Sequence, residues 1–197
     1  GDFLLTADDI PITTVSITRL QSLLAYLLLH RDAPQSRSHL AFLLWPDSTE
    51  AQAHTNLRKL LYQLRQALPD IEQFLCIDKQ TLQWRPGQAD ALWTLDLQEM
   101  EQALAQAKRA EQTQDMPALE QALERVLHVY RGDLLPGCYE EWILPERDRW
   151  HQVFLLAAER LITLLEQQRD YDAALTAAQQ LLRQDPLHEA TYRQLMR

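Results

Sequence analysis

The sequence predicts a mainly helical protein with a small β part in its first half. Only 4 Gly stand against 9 Pro, and long stretches are rich in Leu, Ala and Gln. Short strand-like segments occur near the start of the chain and again at residues 74–84. The 46% hydrophobic and 24% charged content is typical of a globular chain, and 197 residues suffice for one large or two small domains.

Short strands are predicted at the start of the chain. Residues 3–6 are expected to form the first strand and residues 7–9 a turn. The β-branched residues Ile10, Ile12 and Val15 then resume the extended pattern.

Three helices are predicted to follow. Apolar residues at i, i+3 and i+4 spacing begin after Thr18, and Pro34 ends that helix because proline disfavours helical backbone in the residue before it. Ser36 is a good N-cap for a short second helix. After a break at residues 45–48, with Ser48 or Thr49 as the cap, a third helix is predicted over 50–68. Its buried face would hold Leu57, Leu61, Leu64 and Leu68, flanked by Leu60, and its other face His54, Thr55, Lys59, Tyr62, Gln63 and Gln66.

A β-hairpin is predicted over residues 74–84. A turn at 78–80 places Lys79 at a basic tip, and residues 85–87 close the hairpin. Strands, three helices and a hairpin in this order are typical of a winged helix. We therefore predict a winged helix-turn-helix domain of the α+β class over residues 1–92.

The second half is predicted to be helical throughout. Helical patterns cover residues 97–112, 116–131, 140–168, 171–184 and 187–197. Tyr171, Ala174, Ala178 and Pro186 stand at the spacing of the second half of a tetratricopeptide (TPR) unit. Stacked helix pairs of this kind form concave partner-binding surfaces. The prediction is an all-α, TPR-like domain over residues 93–197.

The net charge of −9 is unevenly distributed. Residues 1–92 hold 8 Lys/Arg and 10 Asp/Glu, whereas residues 93–197 hold 11 and 18. A nucleic-acid-binding protein usually has a basic surface. DNA binding by the first half would therefore depend on where its few basic groups lie, and the acidic second half favours docking to a protein partner.

The sequence predicts no catalytic, metal or cofactor site. Cys76 and Cys138 lie far apart without C-x-x-C spacing, and the 6 histidines show no paired-ligand spacing. Glu140, Glu141 and Glu146 border a predicted helix start, where acidic residues favour the helix dipole, so a structural role is preferred to carboxylate catalysis. No G-x-x-x-x-G-K-[ST] phosphate loop occurs either. We expect a protein that is not an enzyme and needs no cofactor.

The cellular compartment of the protein is predicted from its apolar segments and its cysteines. The longest apolar run, residues 23–29, is far shorter than the roughly 20 residues of a membrane span. Isolated thiols are expected in a reducing compartment. The sequence therefore predicts a cytoplasmic protein that makes no contact with a membrane.

Several short motifs occur in a specific order. The first half carries Leu23–Leu27, Leu43–Asp47, Asn56–Arg58 and Leu64–Leu68. The second half carries Tyr130–Gly137, Glu141–Trp142, Glu146–Arg147, Asp185–Ala190 and Tyr192–Met196. In this order the chain resembles bacterial regulators of the Streptomyces antibiotic regulatory protein (SARP) type, in which an OmpR-type winged helix precedes a bacterial transcriptional activator domain.

The resemblance implies a DNA-binding transcriptional activator. Helix 50–68 would be a recognition helix in the major groove, and hairpin 74–84 would be the wing. Asn56, Lys59, Tyr62 and Gln63 would reach base edges or phosphates, since Asn and Gln suit adenine and Lys suits guanine acceptors or the backbone. Arg58, Arg65 and Lys79 would mainly neutralise phosphate.

The resemblance also implies partners. The loop with Trp45, Asp47 and Ser48 would face the transcription machinery, RNA polymerase, although Trp45 is more readily explained as an anchor for the loop. The family usually carries arginines where this helix has Tyr62, Gln63 and Gln66, so few cations are left for tight binding. A homodimer on direct-repeat promoter sites would compensate. The chain also stops inside a helical pattern, and we expect a longer regulator truncated at its C-terminus.

Alternatives stay open for the exposed residues. Lys59, Tyr62 and Gln63 also fit an ordinary solvated helix face, and Tyr62 can instead pack under the wing, as amphipathic aromatics often do. The competing function is a protein–protein interaction module of a larger regulator, in which the winged helix is degenerate.

Overall fold

The computed structural model describes residues 2–7, 10–68, 70–85 and 94–195. The chain divides into two compact units, residues 2–92 with 137–142 and residues 93–136 with 143–197. The predicted turn at 7–9, the hairpin closure at 85–87 and the terminal residues 196–197 fall wholly or partly outside the described residues.

The first unit contains strands β1 to β5 and helices α1 to α3. The order is β1 (Thr6–Ala7), β2 (Ile10–Pro11), α1 (Thr18–Leu29), β3 (Gln35–Ser36), α2 (Arg37–Leu44), α3 (Glu50–Ala67), a 3₁₀ turn (Ile71–Gln73), β4 (Leu75–Ile77) and β5 (Thr81–Trp84). Strands β1 and β2 pair in an antiparallel ladder, with Thr6 opposite Pro11. The order of short strands, three helices and a hairpin is as predicted, but two bounds were wrong. The first strand lies at Thr6–Ala7 instead of residues 3–6, and α1 ends at Leu29, before the predicted end at residues 32–34.

The predicted hairpin forms two strands of a three-stranded antiparallel sheet, with β5 at its centre. The strand order is β3-β5-β4, with Leu82 of β5 opposite both Gln35 and Ile77. The hairpin strands span 75–77 and 81–84, within the predicted 74–84. Strand β3 was not predicted, since two residues show no alternation from which a strand can be recognised.

Helix caps fix where α2 and α3 begin. The hydroxyl of Ser36, the predicted cap of α2, accepts a hydrogen bond from the backbone N–H of His39 at 3.4 Å. Thr49, not Ser48, caps α3 by accepting from the N–H of Gln52. Helix α3 therefore begins where predicted and ends at Ala67, one residue before the predicted end.

The core of the first unit is a layer of leucines shared by the helices and the sheet. Helix α3 buries Ala53, Leu57, Leu60, Leu61 and Leu64, and the other elements of this unit bury Leu20, Leu23, Leu27, Leu40, Leu44, Leu75 and Leu82. Two expectations were inexact. Leu60, expected at the flank, is buried, and Leu68 is only half-buried.

The segment at residues 137–142 packs in this unit on α1. The Glu140 carboxylate accepts from the Ser22 hydroxyl at 2.9 Å and from the Trp142 indole N–H at 2.6 Å. The Trp142 ring meets Tyr26 edge to face, with centroids 5.2 Å apart. Glu140 therefore lies before the helix that sequence analysis placed at 140–168, which begins at Ile143.

The second unit consists of helices in its described part. They are α4 (Asp96–Thr113), α5 (Met116–Val129), α6 (Ile143–Gln168), α7 (Tyr171–Gln184) and α8 (Glu189–Leu195). Helix α4 packs against α5, and α6 against α5 and α7. Ala174 and Ala178 of the predicted repeat are buried, whereas Tyr171 is exposed. The fold class, a winged helix followed by a helical repeat unit, is confirmed.

Two helix pairs share one type of turn. Gln114 and Arg169 each adopt a left-handed conformation, with φ of 55° and 63°. Asp115 and Asp170 follow and cap the next helix through hydrogen bonds of 3.1 Å from Ala118 and Ala173. The same local chemistry therefore ends α4 and α6 and begins α5 and α7.

Candidate nucleic-acid interface

Helix α3 presents two rows of polar residues on the side away from its buried leucines. The amide row consists of Gln52, Asn56, Lys59, Gln63 and Gln66, and the arginine row of Thr55, Arg58, Tyr62 and Arg65. Steps of three and four residues keep each row on one line along the helix, with the two rows roughly 100° apart around its axis. The predicted base-reading and phosphate-binding residues of α3 are therefore divided between two lines.

Hydrogen bonds within the rows orient several of these side chains. The Gln52 amide nitrogen donates to Oδ1 of Asn56 at 2.8 Å. The Arg58 guanidinium donates to the Thr55 hydroxyl at 3.1 Å, and that hydroxyl donates to the carbonyl of Ala51. Gln52 was not singled out from the sequence, although its place four residues before Asn56 was the available signal.

Tyr62 lies at the centre of the outward face. Its side chain is 64% exposed, so the alternative that it packs under the wing is wrong. With Thr55, Arg58, Lys59 and Gln63 it lines a shallow, open depression on α3. Sequence analysis predicted four of these five residues to face outward, and the structure brings all five together.

Arg65 is held by an acidic neighbour. Its Nε lies 3.0 Å from Oε1 of Glu72, on the 3₁₀ turn that follows α3. Both side chains are exposed, and such pairs typically contribute only about 0–1 kcal/mol. A phosphate oxygen would have to compete with Glu72 for this guanidinium.

The wing carries Lys79 on an exposed turn. The N–H of Asp78 donates to the carbonyl of Thr81 at 2.9 Å and closes the turn. Arg37, at the start of α2, supports it, because its N–H donates to the Gln80 carbonyl at 2.8 Å and its guanidinium to the Asp78 carbonyl at 3.2 Å. The role of Arg37 could not be predicted from the sequence pattern, because it depends on pairing between distant residues.

The loop between α2 and α3 is closed on itself. The N–H of Ser48 donates to the Trp45 carbonyl at 3.2 Å. Trp45 is half-buried, and the Arg19 guanidinium lies 5.2 Å from its ring centroid, within the range of a cation–π contact. Asp47 is exposed. This environment suits Trp45 as an anchor and leaves Asp47 accessible.

Two further findings concern other classes of site. Within residues 2–7, 10–68, 70–85 and 94–195, no three His, Cys, Asp or Glu side chains are grouped so as to hold a metal ion. In the same ranges no helix is long and apolar enough to cross a membrane.

The helix with two outward polar rows, the wing that follows it and the separate helical unit define the class of fold, a winged-helix domain followed by a helical repeat unit. The family model of the bacterial transcriptional activator domain matches residues 95–197, slightly more than half of the chain. The chain belongs to this family of transcription regulators, which is typically non-enzymatic. The resemblance drawn from the sequence motifs is therefore confirmed.

A solved structure extends the likeness to the whole chain. Mycobacterium tuberculosis EmbR, in complex with a low-affinity phosphopeptide, matches with a TM-score of 0.80 over 99% of this chain at 19% identity. The chain spans about half (52%) of that EmbR chain. At this identity the match shows the fold. No match was found among curated proteins.

Proposed function

We propose that this chain binds double-stranded DNA through α3 and the wing and activates transcription. The outward face of α3 carries this proposal, because it collects cationic and amide side chains around an exposed tyrosine. Asn56, Lys59 and Gln63 reach base edges, with Tyr62 between them. Arg58, Arg65 and Lys79 contact phosphates, which position the protein without specifying sequence.

Partner contacts complete the proposal. Three phosphate-binding cations on one protomer are few, so a homodimer on direct-repeat promoter sites supplies the rest of the affinity. The exposed Asp47, with Ser48 on the loop that Trp45 anchors, contacts RNA polymerase. The proposed domain boundary lies between residues 92 and 93, and the proposed location is the cytoplasm.

Fluorescence anisotropy of the full chain on promoter duplexes tests DNA binding. We expect affinity to fall steeply as salt rises from about 50 to 200 mM, because binding releases counterions. The double variant Lys59→Ala, Gln63→Ala should bind weakly. Its matched control is Lys108→Ala, Gln112→Ala, an exposed Lys–Gln pair of the same spacing on α4. Absence of binding by the intact chain at low salt would contradict the proposal.

A second function is favoured by an open groove in the acidic unit. Residues of α4, α5, α6 and α7 line it, among them Gln106, Gln121, Glu124, His128 and Thr176. In this alternative the groove docks a protein partner and the winged helix is degenerate. The full chain should then recover one partner that Glu124→Arg no longer recovers and Lys108→Ala still does, and the intact chain should not bind duplex DNA at low salt.

A further inference from the structure

Asn56 lies inside a helix, a position that asparagine does not favour. It is the only asparagine in the sequence. Asparagine is a weak helix former, yet this one lies in the second turn of an 18-residue helix, in the outward-facing amide row. The buried face of α3 is made of alanine and leucine and takes nothing from this amide.

The Gln52 hydrogen bond fixes the direction of the Asn56 amide. Gln52 donates to Oδ1, and this leaves Oδ1 one further lone pair and leaves both N–H groups of Asn56 available as donors. Adenine presents an acceptor, N7, and a donor, the N6 amino group, side by side in the major groove. An asparagine amide matches this pair with one N–H and one oxygen lone pair, the two groups that the bond with Gln52 leaves free.

From this geometry we infer that Asn56 reads an adenine in the major groove and that Gln52 is its positioning residue. The inference rests on the proposed DNA binding and adds its base specificity. Gln63 lies seven residues further along the same row and can read a second adenine. Lys59 stands between them, where a guanine acceptor or a phosphate suits it.

Gln52 and Asn56 also have a plain structural explanation. Polar pairs four residues apart stabilise a helix slightly, and both side chains lie near the surface. A pair with this role alone would lower the affinity for every DNA sequence equally when removed. A base-reading pair lowers it for adenine at one position, and this difference separates the two explanations.

Selection from a random duplex library by the full chain at low salt tests the inference. We expect adenine to be enriched at one position of the selected site, and Asn56→Ala should abolish this enrichment. The preference for adenine over the other bases at that position should fall by roughly 5- to 150-fold. Alanine is the better helix former, so this variant should keep its fold. Gln102→Ala, at an exposed glutamine of α4, is the control and should leave the selected sequence unchanged.

Two variants of Gln52 test the positioning role. Gln52→Lys keeps a donor towards Oδ1 and should retain the adenine preference. Gln52→Glu has only acceptors, turns the Asn56 amide around and should lose the preference at the same position. Equal preference in both variants would overturn the positioning role.

The possible failures are distinguishable. A chain that binds no duplex at low salt overturns the proposed function together with this inference. A chain that binds and selects a site whose adenines do not respond to Asn56→Ala, or that selects none, overturns only the inference.

Discussion

Replacing Glu140 should destabilise the first unit more than any neighbouring change of charge. The carboxylate accepts two hydrogen bonds, from the Ser22 hydroxyl and the Trp142 indole. Ser22 is 1% exposed, so Glu140→Ala removes an acceptor from a hydroxyl that water does not reach. The sulfur of Cys138, 3.4 Å from that hydroxyl, is a weak substitute.

The magnitude follows from the number and type of bonds. Hydrogen bonds to a charged group each contribute about 1.5–3 kcal/mol. Glu140 is only half-buried, and water takes over part of its role, so we expect a loss of about 2–4 kcal/mol in the free energy of unfolding. Glu140→Gln keeps a neutral acceptor and should lose less.

Urea unfolding followed by tryptophan fluorescence measures this loss, because Trp142 reports directly on the segment. The exposed neighbour Glu141 provides the matched control, since Glu141→Ala removes the same charge and should stay within about 0.5 kcal/mol of the wild type. If Glu140→Ala is no less stable than Glu141→Ala, the two hydrogen bonds do not hold this segment and the reasoning is refuted.

Three further changes have defined outcomes. Leu57→Ala should lower stability by about 2–5 kcal/mol in urea unfolding, because Leu57 is fully buried on the side of α3 away from its polar rows; a smaller loss would mean that α3 is not docked as described. Asp115→Ala and Asp170→Ala should each cost about 1 kcal/mol in thermal unfolding, since both remove a helix cap, and unequal or absent losses would argue against the shared turn. Burial, and then Asp133, raise the pKa of Tyr130 to about 12. The folded state thus holds this proton more tightly than the unfolded chain, and its stabilising contribution is complete below pH 10 and is lost as pH rises from about 10 to 12. Unfolding at pH 9 and 11 should show this loss, and Tyr130→Phe should reduce it; an equal loss in the variant would exclude this tyrosine as the cause.

Local signals were sufficient for α2 and α3, although not for the start of α6. The leucine spacing of α3 predicted its length to within one residue, because the same leucines that define the pattern form the core. Caps such as Ser36 and Thr49 set helix starts through bonds to residues three positions away, which a sequence displays directly.

Contacts between residues far apart in the chain could not be predicted from local sequence patterns. Strand β3 exists because Gln35 and Ser36 meet β5, more than forty residues later. Glu140 meets Ser22 across 118 positions, and its own neighbourhood favoured a helix start. In the candidate site the pattern indicated an outward face, but neither the bond from Gln52 to Asn56 nor the pairing of Arg65 with Glu72 could be derived from it, since each depends on side-chain direction.

The face proposed to bind DNA carries few cations, so the salt dependence of binding would measure how many protomers bind one duplex. Each phosphate neutralised contributes about −0.9 to the slope of log K against log salt. Arg58, Arg65 and Lys79 on one protomer therefore predict a slope near −2.7, and two protomers predict about −5.4. Lys79→Ala should reduce the slope by about 0.9 for each protomer bound.

The same measurement tests whether Arg65 is available to phosphate. Glu72→Gln removes the carboxylate that competes for Arg65, so the variant should bind DNA a few-fold more tightly than the wild type. The slope of log K against log salt should stay unchanged, because the number of phosphate contacts is the same. If Glu72→Gln instead steepens the slope by about 0.9 per protomer, Arg65 makes no phosphate contact in the wild-type complex and the pairing with Glu72 excludes it. A wild-type slope near −2.7 on a direct repeat would show that each half-site is filled independently. The affinity of each protomer would then have to come from base contacts. In that case the residues of the amide row would contribute most of the binding free energy.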